Sequence, residues 1–213
     1  MRLYLSSFHL GNHPAKFAEM IQGDKNTAII LNARDYFPAE DREAGRLQQI
    51  ENLNRIGIKG SEIDLRKYFG RQEELKTVMN DFDAVWIPGG NVFLLRHAMK
   101  MSGFDEILVQ LIREDKIAYG GYSAGIVVLS ETLEGLDIVD DIKYVKKMYN
   151  EQPIWNGLGI LPYSIAPHYK SNHPETDLID ELVMYYIDNN IKYITLKDGQ
   201  AIVINGDKEE LVE

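Results

Sequence analysis

The feature that most constrains the fold of this chain is a repeated alternation between short strand-like runs and longer helix-like runs. Two of the strand-like runs, Ala28–Leu31 and Ala84–Ile87, are continuously apolar, which is typical of strands buried on both faces. Strands that alternate with helices usually pair in parallel, because each helix carries the chain back across the sheet. We therefore predict an α/β fold of three layers, with a mostly parallel central sheet and helices on both faces.

The alternation also gives approximate bounds for the elements. It predicts strands at Leu3–Phe8, Thr27–Asn32, Gly60–Asp64, Ala84–Ile87 and Ile117–Tyr122. It predicts helices at Pro14–Ile21, Pro38–Ile56, Gln72–Asn80, Val92–Met99, Phe104–Arg113 and Ala124–Leu129. After residue 130 we interpret Leu133–Val145 and Tyr193–Val203 as hairpins on either side of a helix near Glu175–Ile187, which predicts an antiparallel C-terminal extension. No linker divides the chain, so we predict one domain over residues 1–213.

Composition argues against several classes of function. The net charge is −10, from 23 basic and 33 acidic residues, and no basic stripe follows a phosphate backbone, so no nucleic-acid partner is expected. There are no cysteines, so a nucleophile, if present, is an oxygen. The longest uncharged stretch, Gln152–His168, contains three prolines and is not expected to cross a membrane. With no signal-like N-terminus, we expect a cytoplasmic protein.

One strand-to-helix junction carries a candidate nucleophile. The segment Gly121-Tyr122-Ser123-Ala124-Gly125 fits the G-x-S-x-G pattern of a nucleophile elbow. In such an elbow a strained turn lifts the serine oxygen above the sheet, and small neighbours let the strand and helix backbones approach closely. We therefore predict that Ser123 is a nucleophile. The alternative is a glycine-flanked turn without catalysis.

A second glycine turn, Pro88-Gly89-Gly90-Asn91, follows the Ala84–Ile87 strand and precedes a helix. Ligands of open α/β sheets bind at such carboxyl ends of strands. If the two strands are neighbours, the backbone N–H groups of Gly90 and Ala124 form an oxyanion hole beside Ser123; the alternative is a turn that needs glycine only for its conformation. The side chains beside these donors, which we predict to contact substrate, are Asn91 and Tyr122.

A serine nucleophile needs a base, and the chain offers five histidines: His9, His13, His97, His168 and His173. His168 follows an uncharged run that ends in Pro167, so it is expected at the end of a buried strand and is the predicted base. His97 falls inside a predicted helix, and His173 beside Pro174 is expected to cap a helix or face solvent. We find neither a set of metal ligands nor a nucleotide-binding loop, so no metal and no cofactor are predicted.

The third member of a Ser-His-acid triad is a carboxylate that holds the imidazole tautomer and stabilises the imidazolium. Five acidic residues lie between the serine and the histidine in the sequence: Glu131, Glu134, Asp137, Asp140 and Asp141. Their spacing alone does not select one of them.

Three motifs together resemble dipeptidase E, the aspartyl dipeptidase family of serine peptidases. They are Val85–Phe93, similar to the family's glycine-glycine-asparagine turn, Gly121–Gly125, similar to its nucleophile segment, and Ala166–Tyr169, similar to its Asn-Pro-His segment. The resemblance covers most of the chain and implies a fold related to class I glutamine amidotransferases. It also implies the same roles for four residues, namely Ser123, His168, Gly90 and Ala124.

The sequence departs from the family at the acid. The family's aspartate precedes an Ile-Val-Asp segment like Ile138–Asp140, and the matching position here falls near Gly135. The adjacent Glu134 is therefore the first candidate for the acid, followed by Asp137 and Glu131.

A second departure concerns the substrate. The family's arginine, which follows a Glu-Thr pair and binds the aspartate side chain of the substrate, is replaced here by Asp177. A carboxylate does not provide bidentate recognition of another carboxylate, so strict specificity for an N-terminal aspartate is not expected. Lys170 is an alternative source of positive charge, although an exposed surface lysine is the simpler interpretation.

These patterns and the resemblance predict a serine-type hydrolase that cleaves dipeptides or other small peptides through an acyl-enzyme. An amidase or cyanophycinase-like peptidase acting on β-aspartyl substrates is the alternative enzyme, which a basic and roomy cleft would favour. A non-catalytic binding protein of the same fold is the other alternative, and the absence of a carboxylate near His168 would favour it.

Overall fold

The computed structural model describes residues 1–213 as nine strands and eight α-helices. The strands are β1 (Arg2–Ser6), β2 (Asn26–Ile29), β3 (Lys59–Glu62), β4 (Ala84–Ile87), β5 (Ala118–Tyr122), β6 (Ser164–Ala166), β7 (Tyr193–Thr195), β8 (Ala201–Asn205) and β9 (Lys208–Val212). The helices are α1 (Pro14–Met20), α2 (Ala39–Arg55), α3 (Gln72–Met79), α4 (Val92–Ser102), α5 (Phe104–Arg113), α6 (Ala124–Val127), α7 (Lys143–Tyr149) and α8 (Thr176–Asp188).

Seven of the strands form one twisted sheet in the order β3-β2-β4-β5-β1-β8-β9. The five strands from β3 to β1 run parallel. Strand β8 is antiparallel to β1, and β9 is antiparallel to β8. The predicted parallel sheet with an antiparallel C-terminal extension is therefore confirmed.

Apolar side chains cover both faces of the sheet, as the continuously apolar strands predict. In β1, Leu3 and Leu5 point into the larger core, which also receives the buried faces of α4, α5 and α8. Tyr4 points to the opposite face, where it meets Phe17 of α1 and Leu53 of α2. Each fully buried Leu or Phe stabilises the fold by about 2 kcal/mol. The three-layer arrangement is thus confirmed.

Both predicted hairpins are wrong. The segment Leu133–Val145 folds into a 3-10 turn over Leu136–Ile138 and the start of α7. Its buried side chains Leu133, Leu136 and Val145 lie three and nine residues apart and do not follow the two-residue repeat of a strand. The segment Tyr193–Val203 spans two separate sheets, since β7 pairs in parallel with β6 whereas β8 pairs with β1. The C-terminal hairpin is instead formed by β8 and β9, which turn at Gly206.

The topology brings three loops to one edge of the sheet. Strands β4, β5 and β1 are neighbours and parallel, so the residues that follow them, Gly89, Ser123 and Ser7, lie side by side at their carboxyl ends. The turn that leads into β8 reaches the same edge, because β8 runs antiparallel to β1. None of the helices has the length and apolar character needed to cross a membrane.

Candidate active site

Ser123 occupies the turn of a nucleophile elbow between β5 and α6. Its backbone has φ 50° and ψ −122°, in a region that non-glycine residues rarely adopt. The glycines around it are needed for packing, since a Cβ atom on Gly125 would lie 1.9 Å from the carbonyl oxygen of Ile87 in β4. Helix α6 has only four residues and therefore a small dipole, so any stabilisation of charge beside Ser123 comes from individual backbone N–H groups. The structure therefore gives Ser123 the strained backbone predicted from its motif.

The two predicted oxyanion donors are unpaired at this edge of the sheet. Neither Gly90 nor Ala124 donates its N–H to another group in the protein. Gly90 has φ 149°, and a Cβ atom there would lie 2.5 Å from the carbonyl oxygen of Ala33, so the turn excludes other residues. Arg34 donates from Nε to the carbonyl oxygen of Gly89 at 2.8 Å and thereby supports the turn.

The two predicted substrate contacts have different surroundings. Tyr122 lines the cavity in front of Ser123, and its hydroxyl accepts a hydrogen bond from Arg34 Nη2 at 2.8 Å. Asn91 is buried away from that cavity. Its Oδ1 caps α4 by accepting from the N–H of Leu94, and its Nδ2 donates to the carbonyl oxygen of Asp141. The side chain of Asn91 therefore holds the turn in place.

His168 lies directly after β6 and Pro167, as the sequence predicts, and is almost fully buried. Its Nδ1–H donates to Oδ1 of Asp198 at 2.7 Å, so Nε2 is the nitrogen left for a reacting group. Burial lowers the pKa of His168, the hydrogen bond that it donates to Asp198 raises this pKa, and the neighbouring His173 lowers it. His168 is thus oriented by a carboxylate and biased toward its neutral form.

The carboxylate on His168 is Asp198 and none of the acids predicted from the sequence. Glu134, Asp137 and Glu131 are all exposed, and none of them forms a hydrogen bond with His168. Asp198 follows the histidine in the chain and lies in the turn between β7 and β8. Asp198 falls within Tyr193–Val203, and the interpretation of that segment as a hairpin hid its position at the carboxyl edge of the sheet.

A cavity of about 290 Å³ joins these groups. Ser123, His168 and Gly90 line it together, although no hydrogen bond joins the serine hydroxyl to the histidine in this structure. Catalytic hydrogen bonds of this kind often tighten only when substrate binds. The charged side chains on its walls are Arg34, Asp140 and Glu175. Asp177 and Lys170 lie outside it, so the cation of the cavity is Arg34, which the sequence analysis missed.

The two carboxyl groups of the cavity are both hard to ionise. Asp140 accepts a hydrogen bond of 2.7 Å from the N–H of Val92, but burial raises the pKa of its carboxyl to about 7, and the charge of Glu175 adds to the increase. Burial also raises the pKa of Glu175, whereas the neighbouring His173 lowers it. A positively charged group of a ligand placed between them would favour ionisation of both.

Three side chains near the base have the chemistry of metal ligands. The ligand atoms of His168, His173 and Glu175 lie within 4.8 Å of one another. The two imidazole rings, however, stack with centroids 3.7 Å apart and planes 7° apart. A metal ion lies close to the plane of each imidazole that binds it, so two parallel stacked rings do not direct their lone pairs at one ion. The arrangement fits a base packed against a second histidine.

Comparison with known proteins gives one consistent family. Residues 46–212 match the model of peptidase family S51. The chain is 29% identical over 225 residues to Peptidase E of Shewanella denitrificans, covering 99% of this chain and 86% of that protein. It is 27% identical over 164 residues to an uncharacterized peptidase of Listeria monocytogenes, covering 77% of this chain and 74% of that protein. The crystal structure of a candidate Peptidase E from Listeria monocytogenes has the same fold, with a TM-score of 0.79, 23% identity and coverage of 99% and 97%.

Proposed function

The chain belongs to peptidase family S51 and is a peptidase, and from this premise we propose that it is a serine peptidase that hydrolyses dipeptides or other small peptides through an acyl-enzyme. The observation that carries the proposal is the 2.7 Å hydrogen bond between His168 and Asp198 in the cavity that also holds Ser123. A nucleophile, a base and a carboxylate that orients the base are the parts that acyl transfer by serine requires.

In the proposed reaction Ser123 Oγ attacks the peptide carbonyl carbon while Nε2 of His168 takes the hydroxyl proton. Asp198 holds the imidazole in the correct tautomer and stabilises the imidazolium. The N–H groups of Gly90 and Ala124 donate to the oxyanion, a form of stabilisation worth about 3 kcal/mol per donor in other hydrolases. His168 then returns its proton to the leaving amine. Water, deprotonated by the same histidine, hydrolyses the ester and regenerates Ser123.

The charges of the cavity support a small zwitterionic substrate. The cavity contains both signs of charge, with Arg34 bonded to Gly89 and Tyr122 and with Asp140 bonded to the N–H of Val92. A peptide with a free carboxylate for Arg34 and a free amino group for Asp140 matches these charges, and a cavity of about 290 Å³ limits its length. The same features disfavour the β-aspartyl alternative, since the cleft is neither basic nor roomy. Asp198 beside His168 disfavours the non-catalytic alternative.

The test is turnover of a full dipeptide library, followed by mass spectrometry, for the wild type and Ser123→Ala. We expect serine-dependent cleavage and a kcat at least ~10³-fold lower in the variant, because the members of a triad act as a unit. A variant within a few-fold of the wild type would refute the assignment of the nucleophile. Equal inactivity of both proteins on every dipeptide would refute the proposed substrate class.

A further inference from the structure

We infer that Ser7 is a positioning residue that fixes the Asp198–His168 pair. The inference rests on the proposed function, in which these two residues are the acid and the base. Ser7 directly follows β1, next to the nucleophile strand β5, and its side chain is fully buried. No motif in the sequence pointed to it.

The Ser7 hydroxyl joins the base to the acid by two short hydrogen bonds. It accepts the backbone N–H of His168 at 2.8 Å and lies 2.8 Å from Oδ1 of Asp198. The carbonyl oxygen of Leu196 is a second possible acceptor at 3.3 Å, but a serine has one hydroxyl hydrogen, and the shorter, charge-assisted bond to the carboxylate is the stronger one. The oxygen that receives this bond is the same oxygen that accepts Nδ1–H of His168.

Both partners of Ser7 need to be held. Asp198 lies in a turn with 23% of its side chain exposed, and the protein donors that hold its Oδ1 against rotation toward water are Nδ1–H of His168 and the hydroxyl of Ser7. His168 has φ 60°, a left-handed conformation that costs a non-glycine residue about 1 kcal/mol or more. The backbone N–H of Ser7 also donates to the carbonyl oxygen of Gln200 at 3.0 Å, which ties the turn to β1. Ser7 therefore supports the position of the acid and the backbone of the base together.

The adjacent serine offers a matched control. Ser6 is also fully buried, but its hydroxyl donates to the carbonyl oxygen of Phe8 at 3.1 Å and touches neither His168 nor Asp198. Side chains of successive strand residues point to opposite faces, which separates the two hydroxyls. Removing a buried hydroxyl is expected to lower stability in both Ser6→Ala and Ser7→Ala, whereas only Ser7→Ala loses the contacts that position His168 and Asp198.

The experiment compares Ser7→Ala, Ser7→Thr and Ser6→Ala with the wild type by two kinetic readouts. These are kcat and KM for a cleaved dipeptide, and the rate at which a fluorophosphonate labels Ser123. For Ser7→Ala we expect both kcat and the labelling rate to fall about tenfold, with KM within twofold, because a charge-assisted hydrogen bond is lost without a substrate contact. Ser7→Thr keeps the hydroxyl and should restore most of the rate, and Ser6→Ala should match the wild type.

A spectroscopic readout separates this inference from the proposed function. The Nδ1–H proton of His168 should give a downfield proton NMR resonance in the wild type that broadens or disappears in Ser7→Ala, as the bond to Asp198 loosens. If Ser7→Ala does not fold, Ser7→Cys, which keeps the size but has a weak S–H donor, carries the same expectations. Wild-type labelling rates with an intact resonance in the Ala or Cys variant would overturn the inference. If the wild type itself is not labelled, the proposed function fails, and the resonance alone decides the role of Ser7.

Discussion

The imidazole rings of His168 and His173 stack in parallel, with their centroids 3.7 Å apart. The sequence suggested that His173 caps a helix or faces solvent, and its Nδ1 does accept the N–H of Glu175 at 3.3 Å. The stack adds a second function, because two imidazoles at this distance do not both take a proton without strong repulsion. His173 thereby favours the neutral, proton-accepting form of the base.

This stack predicts the pH dependence of the enzyme. In the proposed mechanism activity requires neutral His168. Burial together with His173 holds the pKa of His168 below its ordinary value, despite the opposing effect of Asp198. The acidic limb of kcat/KM is therefore expected below the ordinary range of a histidine. In His173→Phe the ring packing remains but the neighbouring charge is lost, so the pKa of His168 should rise and the limb should move to higher pH.

The measurement is the kcat/KM profile between about pH 4.5 and 8.5. The profile of His13→Gln, an exposed histidine away from the cavity, should overlay the wild type. A limb that stays in place or moves to lower pH in His173→Phe would contradict the role given to the stack.

Asp198→Asn should reduce kcat by ~10³- to 10⁴-fold, because an amide neither selects the correct tautomer of His168 nor stabilises its imidazolium. The protein should remain folded, since the amide oxygen is still able to accept from Nδ1–H. Glu134→Gln changes an exposed carboxylate that does not contact His168, and its kcat should equal that of the wild type. Steady-state kinetics and thermal unfolding of both variants check this. A larger loss of kcat in Glu134→Gln than in Asp198→Asn would show that Glu134, the acid predicted from the sequence, is the one that acts with His168.

Gly125→Ala should destabilise the fold by about 3 kcal/mol or more, because the new methyl group would overlap the carbonyl oxygen of Ile87, only 1.9 Å away. Gly57→Ala is the comparison. Its φ of 76° disfavours a side chain at a cost of about 1 kcal/mol, but no atom lies within 4 Å of the added carbon. Denaturant unfolding gives both free energies, and equal values would show that the strand and helix separate to accept the methyl group.

Asp140 should make stability fall with increasing pH. The pKa of its carboxyl is raised to about 7 in the folded protein, against about 3.9 in an unfolded chain. The folded state therefore binds the proton more tightly, and the cost of ionising the buried carboxyl grows as pH rises through this interval. Asp140→Asn removes that cost and keeps an acceptor for the N–H of Val92. The melting temperature of this variant minus that of the wild type should therefore increase from pH 5 to pH 8. The exposed Asp137→Asn should show no such trend; a constant difference for Asp140→Asn would contradict the buried charge.

The parts of the site that sequence analysis found are those built within one continuous segment. The elbow at Ser123 needs only a strand, a turn and a helix in succession, and the turn at Gly90 has the same construction. The position of His168 after an apolar run ending in proline was equally local. In each case the residue types themselves, small at the close approaches and apolar in the strand, determine the geometry. The catalytic roles of these residues remain predictions.

The parts that sequence analysis missed depend on contacts between distant segments. Asp198 reaches His168 only because the chain leaves β7 in the small sheet and enters β8 in the large one, a change that a hairpin pattern does not reveal. Arg34 and Ser7 come from loops at the other end of the chain. The sequence analysis sought the acid between Ser123 and His168, and the family resemblance placed Glu134 first. The side chains of Glu131, Glu134 and Asp137 are exposed and do not reach His168, whereas Asp140 bonds to the N–H of Val92.

The position of Asp198 also sets an order of events during synthesis. It follows Ser7 by 191 residues and His168 by 30, and it meets both only when β8 pairs with β1. On the ribosome, the proposed nucleophile Ser123 is therefore synthesised well before Asp198, the residue that orients His168. In the proposed mechanism, hydrolytic competence therefore arrives only when β1 pairs with the β8–β9 hairpin, because the acid that orients His168 is made and placed last.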